Sequence, residues 1–382
     1  MAAAAWTIGA GQLGRYGVGG SSKTDRFENE LAAHSGAAHA LAVNSGTSAL
    51  VCALAALGVG PGDEVLVPAY TWIATAAAPV MLGAVPILVE IDETLTMDPI
   101  DLEAKITSKS KAIVPVHMLN MPADMDRIME IARTHALVVV EDACQAVGVE
   151  YKGRKLGAIG NAGAFSFNQH KNLRAGEGGA MLTSDAVVER RAQIFHDAGA
   201  FIRDVEVGVD VPTFVGMNLR MPEISSAMLR PQLKRLGRQM RKRAECRQMI
   251  VDKLADRPDI ELCPHNDPAS AVGLAVSFET SDEATHFANA RGVNRLLDTD
   301  RHIYSNWTSI LEQRTFDERR NPWTDRDIDY VDCCPKTLEI LSRTCSISVD
   351  PDVPMAAMRR FADAMVATQA PDVSPTSIPK AS

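Results

Sequence analysis

One stretch near the middle of the chain indicates the fold: residues 163–179, GAFSFNQHKNLRAGEGG. It opens with an apolar run typical of a buried strand and closes with a Gly-Glu-Gly-Gly turn at residues 176–179. Lys171 stands between them, five residues after Ser166. A lysine beside a strand end, a hydroxyl and tight turns suits covalent chemistry on a carbonyl compound. The alternative is a solvated surface lysine, so the neighbouring segments must decide.

Outward from that stretch, apolar strand-like runs alternate with helical patterns between residues 44 and 185. This alternation predicts an α/β fold with a mostly parallel sheet covered on both faces. Ligands of such sheets bind beyond the carboxyl ends of the strands. Strands are predicted at 40–43, 64–68, 85–90, 112–116, 137–140, 164–167 and 180–183, and helices at 48–57, 73–82, 124–135 and 185–198.

A chain of 382 residues is long enough for a second unit. A charged helical pattern at 229–256 is interpreted as a connecting helix, followed by a strand-like run at 273–278 and an amphipathic helix at 354–368. The predicted organisation is an N-terminal arm (1–30), a large domain (31–240), a small C-terminal α/β domain (241–368) and a disordered tail rich in Pro, Ser and Thr (369–382).

Charge and cysteine content exclude several classes of protein. A net charge of −9 without basic tails argues against binding to nucleic acid or to an anionic membrane, and the basic residues at 238–247 are interpreted as one solvated helix face. Seven cysteines without a C-x-x-C pair or histidines at zinc spacing predict no metal site and no disulfide framework. Without a signal-like N-terminus or an apolar run of about 18 residues, the cytoplasm is the expected location.

Residues 9–14, GAGQLG, match the G-x-G-x-x-G dinucleotide fingerprint. That fingerprint must follow a strand and open a helix, whereas here more glycines and serines follow at once and no strong apolar strand precedes it. We therefore interpret the region as a glycine-rich N-terminal arm.

Residues 44–50, NSGTSAL, run from a short strand into a helix. Free N–H groups at a helix N-terminus with hydroxyls beside them form an anion site, which makes Gly46, Thr47 and Ser48 candidate phosphate ligands. The alternative is a plain N-cap by Ser45 or Thr47.

Two further candidates follow strand ends. Asp142 comes at the end of an apolar strand, and Gln145 follows three residues later. A carboxylate at this place can keep a pyridine nitrogen protonated, which suits pyridoxal phosphate (PLP) bound to Lys171. The alternative is that Asp142 caps the next helix. Trp72 can stack on a pyridine ring, although aromatic residues are more often core.

The ordered motifs resemble the PLP-dependent keto-sugar aminotransferases of fold type I, often called the DegT/StrS family. The resemblance covers nearly the whole chain, from 26–30 (RFENE) to the last helix. Its blocks are 44–48 (NSGTS), 61–65 (PGDEV), 70–72 (YTW), 115–117 (PVH), 122–126 (PADMD), 141–145 (EDACQ), 165–167 (FSF) with Lys171, 176–179 (GEGG), 216–223 (GMNLRMPE) and 334–337 (CPKT).

The resemblance implies a large PLP-binding domain, a smaller C-terminal domain and a homodimer with shared active sites. Lys171 would hold PLP and shuttle the proton, and Asn218 would reach a phosphate in the neighbouring subunit. Arg220 would sit near the substrate, or else form a structural ion pair. The other implied cofactor contacts are Asp142 at the pyridinium nitrogen, Gln145 near the phenolic oxygen, Trp72 on the ring face, and Gly46, Thr47, Ser48 and Ser166 at the phosphate.

The chain departs from the family at 119–122 (LNMP), in place of a Tyr-Gly-Gln-Pro type segment, and at 168–170 (NQH), in place of a proline-centred triplet. The second departure favours a keto-sugar without a nucleotide, or a keto-cyclitol.

The leading hypothesis is amino transfer from glutamate or glutamine to such a ketone, in secondary-metabolite or saccharide biosynthesis. The alternatives are a PLP-dependent sugar dehydratase and a PLP-binding regulator without turnover. The sequence leaves the donor carboxylate's partner open among Arg174, Arg220 and Arg301.

Overall fold

The structure is a computed structural model that describes residues 2–15, 22–199, 211–324 and 326–367. The tail predicted to be disordered, 369–382, lies outside the described residues. Two sheets organise the rest of the chain, one of seven strands and one of four, with a two-stranded ribbon beside the first.

The seven-stranded sheet has the order β1-β9-β8-β5-β4-β2-β3. β9 runs antiparallel to both of its neighbours and every other pair is parallel, which gives the mostly parallel sheet that the alternating pattern predicts. β6 and β7 form the separate ribbon. The strands are β1 His39–Val43, β2 Glu64–Pro68, β3 Val85–Val89, β4 Ser110–Ile113, β5 Val138–Asp142, β6 Glu150–Tyr151, β7 Arg154–Lys155, β8 Ala162–Ser166 and β9 Gly179–Thr183.

Helices cover both faces of this sheet. On β2, Val65 and Val67 belong to the apolar cluster beneath α3 and α4, whereas Leu66 between them belongs to the cluster on the opposite face, as the alternation of side chains along a strand requires. The helices are α1 Ala2–Gly9, α2 Lys23–Ser35, α3 Gly46–Ala56, α4 Ala74–Met81, α5 Pro99–Ala104, α6 Met125–Thr134, α7 Ala186–His196 and α8 Glu223–Leu254.

The four-stranded sheet is antiparallel, with the order β10-β11-β13-β12. Its core packs against the C-terminal half of α8 and against the last helix. The elements are β10 Glu261–Leu262, β11 Ala275–Ser277, β12 Val293–Arg295, β13 Thr344–Ile347, α9 Ser281–Phe287, α10 Thr308–Leu311, α11 Pro335–Ser342 and α12 Met355–Val366. Short 3₁₀ helices lie at Met118–Asn120, Pro268–Ser270, Leu296–Asp298, Asp300–His302, Tyr304–Asn306 and Glu318–Arg320.

The predicted strands and helices of the large sheet are present, and their ends differ by a few residues. The strand predicted at 112–116 is β4, which ends at Ile113. Beyond it the pairing continues as an isolated bridge between Val116 and Asp142, because Pro115 has no N–H for a regular ladder. The helix predicted from residue 229 begins at Glu223 and carries Pro231 in its interior, a residue that removes one helical hydrogen bond.

The beginning of the chain differs from the expected glycine-rich arm. Residues Ala2–Gly9 form α1, which packs on α8, and α2 begins at Lys23 with a buried Phe27. Gly9 therefore ends a helix at the point where the dinucleotide fingerprint requires a strand. Residues 16–21 lie outside the described part of the chain.

The basic stretch of α8 is not one solvated face, which corrects the sequence interpretation. Arg238 and Arg241 are exposed. Lys242, in contrast, donates to the Val353 carbonyl at 3.3 Å, and Arg247 donates to the Gly273 carbonyl at 2.8 Å. These two cations donate to backbone carbonyls of loops next to β11 and α12, so part of the basic stretch is held against the four-stranded sheet. The predicted domain boundary at 240/241 falls inside this helix, and the domain division stays a prediction.

None of the helices within the described ranges combines the length and apolar composition that crossing a bilayer requires.

Gly163 on β8 offers a test of how closely the sheet packs against its neighbouring loop. A Cβ on Gly163 would lie 2.1 Å from the Gly157 carbonyl oxygen, which is backbone and cannot rotate away. We expect Gly163→Ala to lower the free energy of unfolding by about 3 kcal/mol, measured by thermal unfolding of the cofactor-free protein. Gly237→Ala, in α8 where the nearest atom to the new Cβ is 3.8 Å away, is the control and should be neutral or stabilising. Equal melting temperatures for the two variants would contradict this account.

Candidate active site

The N-terminus of α3 lies against the end of β8. Ser45 is the N-cap, and its Oγ accepts from the Ser48 N–H at 3.0 Å. A Cβ placed on Gly46 would sit 2.8 Å from the Ser166 Cβ and 3.0 Å from the Cys144 Sγ, so this position accepts glycine alone. Thr47 is exposed beside them. The first N–H groups of a helix point outward without intrahelical acceptors, so they and the Ser166 hydroxyl together form a cradle suited to a phosphate.

The structure shows the N-cap by Ser45, one of the two alternatives considered. The phosphate-binding role of the same segment stays a prediction. The Ser48 hydroxyl donates to Asn44 Oδ1 at 2.6 Å and lies 2.9 Å from Ser45 Oγ, which holds the turn in one conformation.

Asp142 ends β5 as a buried carboxylate. Its Oδ2 accepts from the Thr75 hydroxyl at 2.7 Å, and Thr75 is in turn 2.8 Å from the Thr71 hydroxyl. Its Oδ1 accepts from the Cys144 N–H at 3.2 Å. Turns, and no helix, follow between residues 143 and 149, so the alternative that Asp142 caps a helix is wrong. The carboxylate is instead oriented by its neighbours.

Glu141, the residue before it, has a structural role that the sequence reasoning missed. It is fully buried, and it accepts from the N–H groups of Gly157, Ile159 and Gly160 at 2.6–2.8 Å. His117 Nε2 lies 3.1 Å from the same carboxylate, and His117 Nδ1 accepts from the Ala123 N–H. Because Nδ1 is an acceptor, the proton sits on Nε2 and is donated to Glu141. No spacing signal in the sequence marks this cluster.

Lys171 is half-buried in the loop after β8, where its N–H donates to the Asn168 carbonyl at 3.0 Å. Its ammonium acts on two groups from other segments. Burial and then the Asp142 carboxylate raise the pKa of the Cys144 thiol well above its usual range, and the Lys171 charge opposes them. Burial lowers the pKa of His302, and the Lys171 charge lowers it further. The Lys171 charge is therefore close enough to act on both Cys144 and His302, and its effect on the Cys144 thiol is opposite in sign to that of Asp142.

Trp72 is not a core residue: 41% of it is exposed. Its ring contacts the His302 ring, with centroids 5.2 Å apart and planes tilted by 60°, and the Arg301 guanidinium lies 5.9 Å from its centroid. The core alternative for Trp72 is thereby excluded, and an aromatic face is available at the carboxyl end of β2.

Gln145 reaches a turn that follows β4. Its Oε1 accepts from the Leu119 N–H at 3.1 Å. Leu119 and Asn120 both have positive φ, of 54° and 61°, a conformation that costs energy in residues other than glycine. Asn120 Oδ1 accepts from the amide of Asn172, the residue next to Lys171, at 2.7 Å. The turn at the unusual segment 119–122 is thus tied to the lysine loop.

Asn218 and Arg220 lie on a segment that pairs with the end of β1. Val43 bridges Arg220, and Asn44 N–H donates to the Leu219 carbonyl at 2.8 Å. Asn218 is exposed, whereas Arg220 forms an ion pair with the buried Asp197. The ion pair is the structural alternative considered for Arg220.

The described side chains fit PLP in three separate ways. The α3 cradle suits the phosphate, the oriented Asp142 carboxylate suits a pyridinium nitrogen, and Lys171 is an amine whose charge acts on Cys144, next to both. Cys144 contacts both ends, since it lies against the Gly46 position and beside Asp142. Among the described residues there is no group of three or more His, Cys, Asp or Glu side chains that could hold a metal ion.

Comparison with known proteins shows the family of the chain. The sequence profile of the DegT/DnrJ/EryC1/StrS aminotransferase family matches residues 10–366. The chain is 38% identical to dTDP-3-amino-3,4,6-trideoxy-alpha-D-glucose transaminase of Streptomyces venezuelae, over 74% of each chain. It is also 38% identical to L-glutamine:scyllo-inosose aminotransferase of Streptomyces griseus, over 66% of this chain and 60% of that protein.

Among solved structures, the chain is similar to S. venezuelae DesV in complex with a ketimine intermediate. The TM-score is 0.76 at 31% identity, over 96% of this chain and 92% of that one. The expected α/β fold of the fold-type-I aminotransferases is confirmed, and so is the resemblance drawn from the ordered motifs. The protein belongs to the DegT/DnrJ/EryC1/StrS aminotransferase family.

Proposed function

We propose that the protein is a PLP-dependent aminotransferase that moves an amino group from glutamate or glutamine to the ring ketone of a keto-sugar or keto-cyclitol. One observation carries the proposal: the Asp142 carboxylate and the N-terminus of α3 meet at Cys144, and the Lys171 charge acts on the same thiol. The named relatives are transaminases of a sugar nucleotide and of an inosose, which supports this class of acceptor. The pathway is one of secondary-metabolite or saccharide biosynthesis.

PLP supplies an electron sink when bound. Lys171 is the attachment point for its carbonyl carbon, and the same amine moves the proton during transfer. At the phosphate end, Gly46, Thr47 and Ser48 present N–H groups and hydroxyls, and Ser166 adds a hydroxyl.

At the other end, Asp142 keeps the pyridine nitrogen protonated, and the hydrogen bond from Thr75 fixes its orientation. Thr75 is a positioning residue that the sequence reasoning missed. Trp72 would stack on the ring face, and Gln145 would lie near the phenolic oxygen. The phosphate contacts dominate retention of the cofactor, because hydrogen bonds to a charged group contribute about 1.5–3 kcal/mol each and stacking about 0.5–1.5 kcal/mol.

The active unit is a homodimer, in which Asn218 reaches the phosphate of the neighbouring subunit and Arg220 lies near the substrate. Exposure of Asn218 beside the end of β1 supports a role outside its own subunit. The cytoplasm is the proposed location, supported by seven cysteines that are all free although Cys333 and Cys334 lie 3.7 Å apart at sulfur.

A PLP-dependent sugar dehydratase is the alternative reaction. Product analysis separates the two: amino transfer yields an amino sugar and a 2-oxo acid, whereas dehydration yields loss of water without gain of nitrogen. A regulator without turnover would bind PLP and yield neither product.

The attachment of PLP to Lys171 is tested by Lys171→Ala. The purified protein should show a visible absorbance band that glutamate or glutamine bleaches, and the variant should lack that band and lose turnover by about 10⁴-fold. Lys253 lies at the C-terminal end of α8 and pairs with Asp363 of α12. The control variant Lys253→Ala should keep both the absorbance band and the turnover. Retention of the band and of multiple turnover in Lys171→Ala would refute the assignment.

Adjacent carboxylates on β5 should give opposite phenotypes. Asp142→Asn removes the charge beside the pyridine nitrogen, so kcat should fall about 10²–10³-fold while the melting temperature changes little. Glu141→Gln turns an NH₂ group toward buried N–H donors, so it should lower the free energy of unfolding by about 3 kcal/mol or more. Thermal unfolding of the cofactor-free variants and steady-state rates give both readouts. A stability loss shared equally by both variants would contradict the division of roles.

Sharing of the site between subunits is tested by mixing variants. Asn218→Ala should weaken PLP retention about tenfold or more, measured by equilibrium dialysis. Asn218→Ala is then mixed with Lys171→Ala so that the subunits exchange. If the site is shared, each mixed dimer regains one intact site. The activity of the mixture should therefore exceed the mean of the two parent variants and approach about a quarter of the wild-type value. Sedimentation should show a dimer. A mixture that stays at the parental mean would place Asn218 in its own subunit's site.

A further inference from the structure

A segment from the C-terminal part of the chain lies directly against the candidate active site. The N–H groups of Thr71 and Ile73 donate to the carbonyls of His302 and Arg301, at 2.9 and 3.2 Å, and Tyr70 bridges Ile303. Residues 301–304 therefore run antiparallel to residues 69–73, the segment that carries Trp72. No motif in the sequence indicated this pairing.

The segment is fixed in place by more than this pairing. The indole N–H of the fully buried Trp307 donates to the Arg301 carbonyl at 2.8 Å. Asp300, just before it, has a φ of 51°, so the backbone turns sharply at the point where Arg301 enters the site. The backbone of Arg301 is rigid as a result, while its side chain is 67% exposed.

Three arginines could bind the carboxylate of the amino donor, and their contacts separate them. Arg174 donates from Nε to the Lys171 carbonyl at 3.0 Å and pairs with Asp352 at 3.2 Å. Arg220 pairs with the buried Asp197. Arg301 has a long ion pair of 3.9 Å with the exposed Asp300, a kind that contributes little, and its guanidinium lies against Trp72.

We infer that Arg301 binds the α-carboxylate of the amino donor, an inference that rests on the proposed function. A planar guanidinium pairs with a carboxylate through two parallel hydrogen bonds. The α-carboxylate is joined to the carbon that bears the transferred amine, so its partner must lie near Lys171. The segment of Arg301 accepts from the N–H of Thr71, whose hydroxyl lies 2.8 Å from the Thr75 hydroxyl that donates to Asp142. His302, the neighbour of Arg301, is also within the field of the Lys171 charge.

His302 supports the same geometry as a neutral side chain. Its Nδ1 lies 3.1 Å from the Thr299 carbonyl, which can only accept, so Nδ1 carries the proton. Burial and the Lys171 charge keep the pKa of His302 low. Its ring therefore packs on Trp72 without adding a second cation beside Arg301, and the carboxylate meets one defined charge.

An arginine here could bind either of two anions, the carboxylate of the donor or a phosphate of a nucleotide-linked acceptor. Measuring the donor half-reaction and the acceptor half-reaction separately distinguishes them. Arg301→Gln should raise the apparent dissociation constant for glutamate, read from bleaching of the cofactor band, by about 10- to 100-fold. Arg301→Lys keeps the charge but lacks the planar pair of N–H donors, so its dissociation constant for glutamate should lie between those of the wild type and Arg301→Gln. Reaction of the aminated enzyme with ketone acceptors should change less than about twofold, within ordinary surface effects.

Arg314→Gln is the matched control, because Arg314 is another exposed arginine in the same part of the chain and pairs with Glu312 at 2.9 Å. It should leave both half-reactions unchanged. A loss confined to a nucleotide-linked acceptor, or equal glutamate constants for Arg301→Gln and the wild type, overturns the inference while the proposed function stands.

A second measurement does not depend on turnover. Maleate carries carboxylates and no amine, and its binding to the purified full-length protein can be followed by calorimetry. Binding should weaken about tenfold or more in Arg301→Gln and not in Arg314→Gln. Equal maleate affinity in all three proteins overturns the inference. A wild-type protein that binds maleate but reacts with no donor would instead refute the proposed function.

Discussion

Two successive carboxylates at the carboxyl end of β5 decide how the rest of the site is arranged. Neighbouring residues on a strand point to opposite faces, so Glu141 and Asp142 cannot share one task. Glu141 collects three backbone N–H groups of the loop that leads into β8, together with the proton of His117. Asp142 is left facing Thr75 and Cys144. The buried anchoring of Glu141 fixes β8 beside β5, and with β8 it fixes the loop of Lys171.

The α/β architecture was predictable from the sequence, and so was the meeting of Asp142, Ser166 and the start of α3 at one edge of the sheet, because each signal was local. Continuous apolar strands between helices determine a parallel sheet, and such a sheet places strand ends at one edge. Asp142, Ser166 and the start of α3 follow strands directly, so their meeting follows from topology alone. Lys171 stays a prediction: the ordered blocks of the family single it out as the reactive amine, which its exposure alone does not.

What could not be predicted arises from contacts between distant segments. Thr75 sits inside a helical pattern, and nothing local shows that its hydroxyl reaches Asp142. The pairing of residues 301–304 with residues 69–73 joins segments more than 200 residues apart through backbone hydrogen bonds, which carry no side-chain signature. The exposure of Trp72 was unpredictable for the same reason. Aromatic residues are usually buried in the core, yet tertiary packing leaves Trp72 exposed beside His302 and Arg301.

The departure at residues 119–122 is best understood through its backbone. Asn120 adopts a positive φ, a conformation that asparagine tolerates better than most residues. Leu119 adopts it as well, held by Gln145 and by a close approach of its carbonyl to Gly273, where a Cβ would lie 2.2 Å away. Asn120 Oδ1 also accepts from the amide of Asn172, the residue next to Lys171, at 2.7 Å. Through Gln145 and Asn172, this turn therefore connects the segment after Asp142 with the loop that carries Lys171.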